Sequence, residues 1–161
     1  MSVRLNPGDP APPFRLADQD ERLVALDSFK GRRVVVYFYP KDDTPGCTKE
    51  ACQFNEALTA FRGLNVDLVG ISADGGSSHQ RFRNKYGLQF ALLSDPGHRT
   101  TEAYGAYGEK MMYGKPVTGV IRSTVLVDED GRIARAWYGV KADGHAARVL
   151  EELSQPVSDG S

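Results

Sequence analysis

Cysteine is scarce in this chain, with two residues in 161, Cys47 and Cys52. That is too few for the disulfide framework of a small secreted domain, and in a reducing compartment such cysteines are catalytic, metal-binding or inert. An excess of charge of one sign is lacking too: 20 Lys and Arg stand against 21 Asp and Glu, and the basic residues are scattered. Nucleic acid is therefore not an expected partner. No apolar stretch approaches the roughly 20 residues that span a bilayer, and Met1 to Pro13 has no apolar run of the signal-peptide kind. The expectation is a cytoplasmic protein with no membrane contact. Histidine is limited to His79, His98 and His145, which show no ligand spacing among themselves, so no metal site is expected and all three read as surface or capping residues. At 40% hydrophobic residues the chain can bury a core without staples. One domain is expected over 1–161, with its core at about 4–153 and a disordered tail at 154–161.

Local patterns then give the elements. Four prolines between Asn6 and Phe14 make an extended lead-in. Phe14 to Leu16 and Leu23 to Leu26 flank the polar Asp18-Gln19-Asp20-Glu21 turn as an N-terminal β-hairpin. Val34 to Tyr39 is an unbroken β-branched and aromatic run ending at Pro40, the pattern of a strand buried on both faces. Past a loop holding Thr44, Pro45 and Gly46, the residues Cys47, Ala51, Phe54, Leu58 and Phe61 recur at spacings of four, three, four and three. They form one stripe of an amphipathic helix ending near Gly63. Leu68 to Ser72 reads as a strand, Ser78 to Tyr86 as a helix, Phe90 to Leu93 as a strand and Thr100 to Tyr104 as a short helix. Ser123 to Val127 and Ile133 to Tyr138 flank Asp128-Glu129-Asp130-Gly131, a hairpin turn that resembles a calcium loop in composition alone. A last helix covers about Gly144 to Leu153, and Trp137 and Tyr138 read as strand packing. Strand and helix alternate before an antiparallel hairpin, so the fold class is α/β with a mixed central sheet and helices on both faces.

The chemistry concentrates between Tyr37 and Cys52, where a buried strand delivers the chain to a helix N-terminus carrying Cys47. Unpaired N–H groups and the positive end of the helix dipole favour an anion there, which suits a thiolate. Two cysteines on one helix also fit plain core packing. Thr44 fits a helix cap, and Arg122 fits an ion pair with Glu50.

The segment resembles the peroxiredoxin active-site motif: proline, three residues, threonine or serine, two residues, cysteine. Pro40, Thr44 and Cys47 match it. The second cysteine, five positions on, is similar to the subgroup called peroxiredoxin Q or bacterioferritin comigratory protein. Gly119-Val120-Ile121-Arg122-Ser123-Thr124 is similar to the segment that supplies the family's active-site arginine. The likeness runs from about Leu5 to Leu153 and includes Ser94-Asp95, Ala103-Tyr104-Gly105, Gly108-Glu109-Lys110 and Trp137. Glu21 departs from it, standing where the family often has a turn glycine. So does Ala73-Asp74-Gly75-Gly76, which replaces a commoner proline-containing stretch. The resemblance implies a thioredoxin-like fold and reduction of hydrogen peroxide and organic hydroperoxides without metal, haem or flavin. Cys47 inherits the role of peroxidatic nucleophile. Thr44 and Arg122 would hold the peroxide oxygens, Pro40 would wall off the thiolate, and Glu50 would support Arg122. Cys52 would resolve the sulfenic acid as a Cys47–Cys52 disulfide. Thioredoxin or a related dithiol protein is the implied reductant, and a monomer the implied state. A thiol–disulfide oxidoreductase is the rival reading, but the C-x-x-C pair of such enzymes is absent; a noncatalytic redox-sensing module is the third.

Magnitudes explain why a cysteine alone would not suffice. For any thiol, lowering the pKa from about 8.5 to about 6 raises the thiolate fraction at pH 7 only about thirtyfold. A donor aimed at the charge developing on the leaving oxygen contributes roughly two to three decades. The cysteine spacing has a further consequence. Residues five apart on an α-helix have Cα atoms roughly 8 to 9 Å apart, whereas a disulfide needs less than about 7 Å. The stripe turns Cys47 inward and leaves Cys52 among Thr48, Asn55, Glu56 and Thr59, so the first turns must unwind before the two sulfurs meet.

Overall fold

A computed structural model describes residues 4–154. A hairpin of β1 (Arg15–Ala17) and β2 (Leu23–Ala25) leads into a 3-10 turn at Leu26–Phe29. The central sheet contains β3 (Arg33–Phe38), β4 (Val66–Ser72), β5 (Ala91–Ser94), β8 (Ser123–Val127) and β9 (Ile133–Tyr138), in the order β5-β4-β3-β8-β9. β3 pairs in parallel with β4 and antiparallel with β8, while β4–β5 is parallel and β8–β9 antiparallel, so the sheet is mixed. Among the described residues the α-helices are α1 (Pro45–Gly63), α2 (Gly76–Tyr86), α3 (Arg99–Ala103) and α4 (His145–Ser154).

β3 is the axis of the core, and its pleat sorts its side chains between two clusters. Val35 and Tyr37, with Tyr39 just beyond the strand, face α1, α2 and α4, together with Cys47, Ala51, Phe54, Phe82 and Val149. Val34, Val36 and Phe38 face the other way. There Phe14, Leu26, Tyr104 and Val120 cover the sheet from the hairpin, the 3-10 turn, the end of α3 and the later strands. Helices thus lie on both faces, but the three longer ones share one.

Two findings extend or correct the expectations. A second hairpin, β6 (Tyr107–Met112) with β7 (Lys115–Val120), lies where no element was expected. The expected tail begins at Ser154, which is the last residue of α4; the remainder lies outside the described residues. Glu21 adopts φ of +62°, the left-handed region that glycine fills without strain, at the position where the sequence departs from a turn glycine.

Tyr37 carries the packing from sheet to helix. Its ring stacks on Phe54 of α1 with centroids 4.6 Å apart, and it stands opposite Gly70 in the β3–β4 register. A Cβ at Gly70 would fall 2.8 Å from the Tyr37 ring, so the glycine makes room for the side chain that supports α1. Gly70→Ala should therefore lower stability by roughly 1–3 kcal/mol, as overpacked cores do. Urea unfolding with an unchanged m-value and a lower midpoint is the expected result.

Candidate active site

The helix that bears Cys47 starts where its sequence starts it. Thr44 is the extended N-cap residue and Pro45 fills the first helical position, where its missing N–H costs nothing. Thr44 does not cap with its side chain. Its hydroxyl donates instead to the Lys41 carbonyl at 2.8 Å, which leaves the N–H groups of the first turn without a side-chain partner. Cys47 is 2% exposed. Arg122, between β7 and β8, reaches it across the end of β3, with Nη2 donating to Cys47 Sγ at 3.4 Å. Nη1 of the same guanidinium donates to Glu50 Oε1 at 2.5 Å. Glu50 follows Cys47 by three residues, so the two lie on one side of α1.

Glu50 is fully buried and its Oε2 has no hydrogen-bond partner. Burial lifts its carboxyl to about 7, against the pull of the Arg122 guanidinium. Gly46 keeps the arrangement open, since a Cβ there would lie 3.2 Å from Arg122 Nη2. Pro40 is exposed at the end of the strand. The structure thus brings Cys47, Arg122 and Glu50 into contact, with Thr44 on the loop that enters the same helix. Cys52 is apart from them, half-buried and free on an intact helix. Burial, and then the charge of Glu56, raise its thiol above the ordinary value. Among the described residues no three of His, Cys, Asp and Glu gather as a metal site would require, and no helix is long and apolar enough to cross a membrane.

The chain as a whole is similar to known proteins. Residues 7–136 match the AhpC/TSA family. A putative peroxiredoxin of Mycobacterium tuberculosis is 54% identical over 153 residues, covering 95% of this chain and 98% of that protein. The Escherichia coli peroxiredoxin Bcp is 42% identical over 151 residues, covering 94% and 97%. The solved structure of Xanthomonas campestris peroxiredoxin Q superposes with a TM-score of 0.83 at 38% identity, over 94% of this chain and 96% of that one. The chain belongs to the AhpC/TSA family, as a peroxiredoxin of the Bcp and peroxiredoxin Q kind. The fold is accordingly thioredoxin-like, and the enzyme class is that of a thiol peroxidase, which consumes a peroxide and needs a reductant.

Sequence reasoning missed three polar residues of this peroxiredoxin, and two of them correct an expectation. His79 and His145 are not surface or capping residues, being 0% and 4% exposed. Both sit on the apolar stripes of their helices. His79, Phe82 and Tyr86 are spaced by three and four, as His145 and Val149 are by four, and that periodicity was the available signal. His98 does stand at the N-cap of α3, without a side-chain cap bond. The third missed residue is Asp42, which nothing in the local sequence separates from Asp43, yet only Asp42 is buried.

His145 lies behind the site. Its Nε2 is 2.8 Å from Thr124 Oγ1, and Phe54 and Trp137 meet it edge to face at 6.0 and 6.3 Å. Burial, then the charges of Arg148 and Arg122, hold it down at about 4 from 6.5. Below about 6.5 the unfolded chain takes up a proton at His145 that the folded protein resists, so this group removes stability as pH falls to about 4. Glu50 acts oppositely. Its folded value of about 7 exceeds 4.5, so acidification through that range relieves a buried charge and adds stability. Each contribution is roughly 3 kcal/mol by linkage, and they nearly cancel in the native protein. Glu50→Gln should therefore lose up to about 3 kcal/mol between pH 6.5 and 4, whereas His145→Gln should gain a similar amount between pH 7 and 4.5. Chemical denaturation at a series of pH values separates the two slopes.

Proposed function

We propose that this peroxiredoxin is a single-domain, cytoplasmic, monomeric peroxidase in which Cys47 attacks hydroperoxides and Cys52 resolves the product. The observation that carries the reading is the buried Cys47 thiol within 3.4 Å of the Arg122 guanidinium, at a helix N-terminus whose first N–H groups no side chain caps. A thiolate there attacks the nearer oxygen of the peroxide. The O–O bond breaks, the departing oxygen leaves as water or an alcohol after taking a proton, and Cys47 becomes a sulfenic acid. Arg122 and the Cys47 N–H are the donors placed to meet the charge on the departing oxygen, while the Thr44 hydroxyl, whose proton goes to the Lys41 carbonyl, offers its oxygen as an acceptor for the peroxide O–H. Pro40 shields the thiolate.

Cys52 then condenses with the sulfenic acid, giving a disulfide and water. A dithiol protein of the thioredoxin kind returns both cysteines to thiols while its own pair is oxidised. The geometry imposes an order on these steps. Both cysteines sit on the intact α1, so the segment from about Thr44 to Gln53 must open before the bond closes. Opening also relieves the burial that raises the Cys52 thiol, making it a better nucleophile when it is needed. The related Xanthomonas campestris bacterioferritin comigratory protein, 37% identical with a TM-score of 0.83, is known from trapped intermediate and ligand complexes that bear on alkyl peroxide reduction. This supports extending the substrate class to organic hydroperoxides.

Four measurements test the reading. Cys47→Ser should abolish peroxide consumption, and Cys52→Ser should react once and stop, so that intact mass shows one added oxygen while turnover with thioredoxin collapses. Sustained turnover by Cys52→Ser would show that another group resolves the intermediate. Arg122→Ala should slow the oxidation of Cys47 by roughly two decades, the usual loss of one preorganised donor. Hydrogen exchange should show protection falling across about Thr48 to Phe54 in the oxidised protein while β3 stays protected; a Cys47–Cys52 disulfide within an unaltered helix would refute the unwinding step.

A further inference from the structure

Between Pro40 and Thr44 the chain passes through two aspartates with opposite surroundings. Asp43 is exposed and accepts from Lys85 Nζ at 2.9 Å and Tyr86 Oη at 2.8 Å. The Asp42 side chain is 3% exposed, and three donors converge on it. Tyr39 Oη donates to Oδ1 at 2.5 Å, and Ser78 Oγ and His79 Nδ1 meet Oδ2 at 2.8 and 2.7 Å. His79 Nε2 faces the Leu93 carbonyl of β5 at 3.1 Å. Both ring nitrogens of His79 therefore face oxygens. The imidazole thereby ties Asp42 to α2 and β5, and its removal leaves a buried carboxyl short of a partner.

The tie reaches Thr44 through a single peptide group. The Lys41 carbonyl accepts the Thr44 hydroxyl, and the N–H on the other side of that peptide, from Asp42, donates to Asp74 Oδ2 at 2.8 Å. Asp74 Oδ2 also accepts from Ser72 Oγ at 2.7 Å. The direction of the Thr44 hydroxyl is thus set by a peptide plane whose N–H is held by Asp74 and whose Asp42 end is anchored by the carboxyl buried against α2. Misplacement of a reacting group by about 1 Å costs on the order of a hundredfold in rate.

We propose that Asp42 and His79 are a positioning pair for peroxide reduction, holding the Lys41–Asp42 peptide so that the Thr44 hydroxyl, bonded to its carbonyl, presents its oxygen to the peroxide O–H as an acceptor. The proposal rests on the reading of Thr44 as a peroxide contact. Arg122 reaches Cys47 from the segment between β7 and β8, and its side-chain bonds go to Cys47 and Glu50 rather than to the Asp42 network, so the thiolate keeps its guanidinium when the pair is broken. Peroxide reactivity and plain thiolate reactivity should therefore separate.

The test measures two rate constants on each variant: Cys47 oxidation by hydrogen peroxide and Cys47 alkylation by iodoacetamide. His79→Leu should slow oxidation by roughly ten- to a hundredfold and leave alkylation within about threefold. His79→Asn, whose amide N–H can stand in for Nδ1, should recover most of the lost rate. Folded His79→Leu oxidised within about twofold of the native protein would overturn the proposal, as would a parallel fall in both rate constants. If His79→Leu does not fold, Ser78→Ala removes one of the three donors and should lower the ratio of oxidation to alkylation about fivefold; an unchanged ratio there overturns the proposal too. Thr44→Val is the control that separates the two readings. Its oxidation at the native rate would overturn the role given to Thr44 and the pair's purpose with it, whereas slow Thr44→Val beside normal His79→Leu would overturn the positioning pair alone.

Discussion

The guanidinium of Arg122 serves two buried groups at once, and the site depends on that sharing. A fully buried Glu50 with no partner would cost several kcal/mol as a carboxylate; Arg122 Nη1 offsets this at 2.5 Å while Nη2 points at Cys47. The arginine is fixed in turn by its backbone, whose carbonyl accepts from Val140 N at 3.0 Å, and by the Ser123 hydroxyl bonded to the Ile121 carbonyl at 2.7 Å. Because Cys47 and Glu50 share one side of α1, the same contact that polarises the thiol also docks the helix on the sheet. Function and packing are one interaction here, which is why the small Gly46 must lie beside it.

That sharing bears on the redox cycle as proposed above. A thiolate gives Arg122 a second anion, but a sulfenic acid is neutral at Sγ, so oxidation weakens the attraction that holds the first turn of α1. Glu50 is then the only anion left to the guanidinium in this contact. The chemical step itself thus loosens the element that must open for resolution, without a separate trigger.

Much of this was legible in the sequence, for identifiable reasons. The run Val34 to Tyr39 and the stripe from Cys47 to Phe61 are long and strongly periodic, and both the strand and the helix lie where those patterns put them. The β6–β7 hairpin was not legible, because Lys110 to Gly119 mixes exposed Met111, Met112 and Tyr113 with Pro116 and glycines and has no buried alternation. A two-stranded ribbon can hold a proline because neither strand is central. The contact between Arg122 and Glu50 was readable as a possibility but not as a geometry, since 72 residues separate them and only the β3–β8 pairing brings them together. Asp42 was beyond reach for the same reason: its partners Ser78 and His79 lie on α2, and the loop sequence gives Asp42 and Asp43 identical chemistry.

A pocket rigid enough to place donors and a helix soft enough to unwind make opposed demands on adjacent residues, and the structure separates them along the chain. Upstream, the loop before Thr44 is held by buried or part-buried bonds from Tyr39, His79 and Asp74, in which each partner lost leaves a desolvated group. Downstream, the outer face of α1 between Lys49 and Gln53 is held by exposed contacts: Lys49 to Asp143 at 4.0 Å, Gln53 to Asp143 at 2.8 Å, and Gly144 N to Gln53 at 2.8 Å. Exposed pairs of this kind contribute roughly 0–1 kcal/mol each. Beyond them Phe54 is fully buried and stacked on Tyr37, where displacement would cost roughly 3–5 kcal/mol if the ring's burial were lost. Both cysteines thus lie between two expensive anchors, on a segment whose outer contacts are weak and whose inner hold is the contact of Arg122 with Cys47 and Glu50.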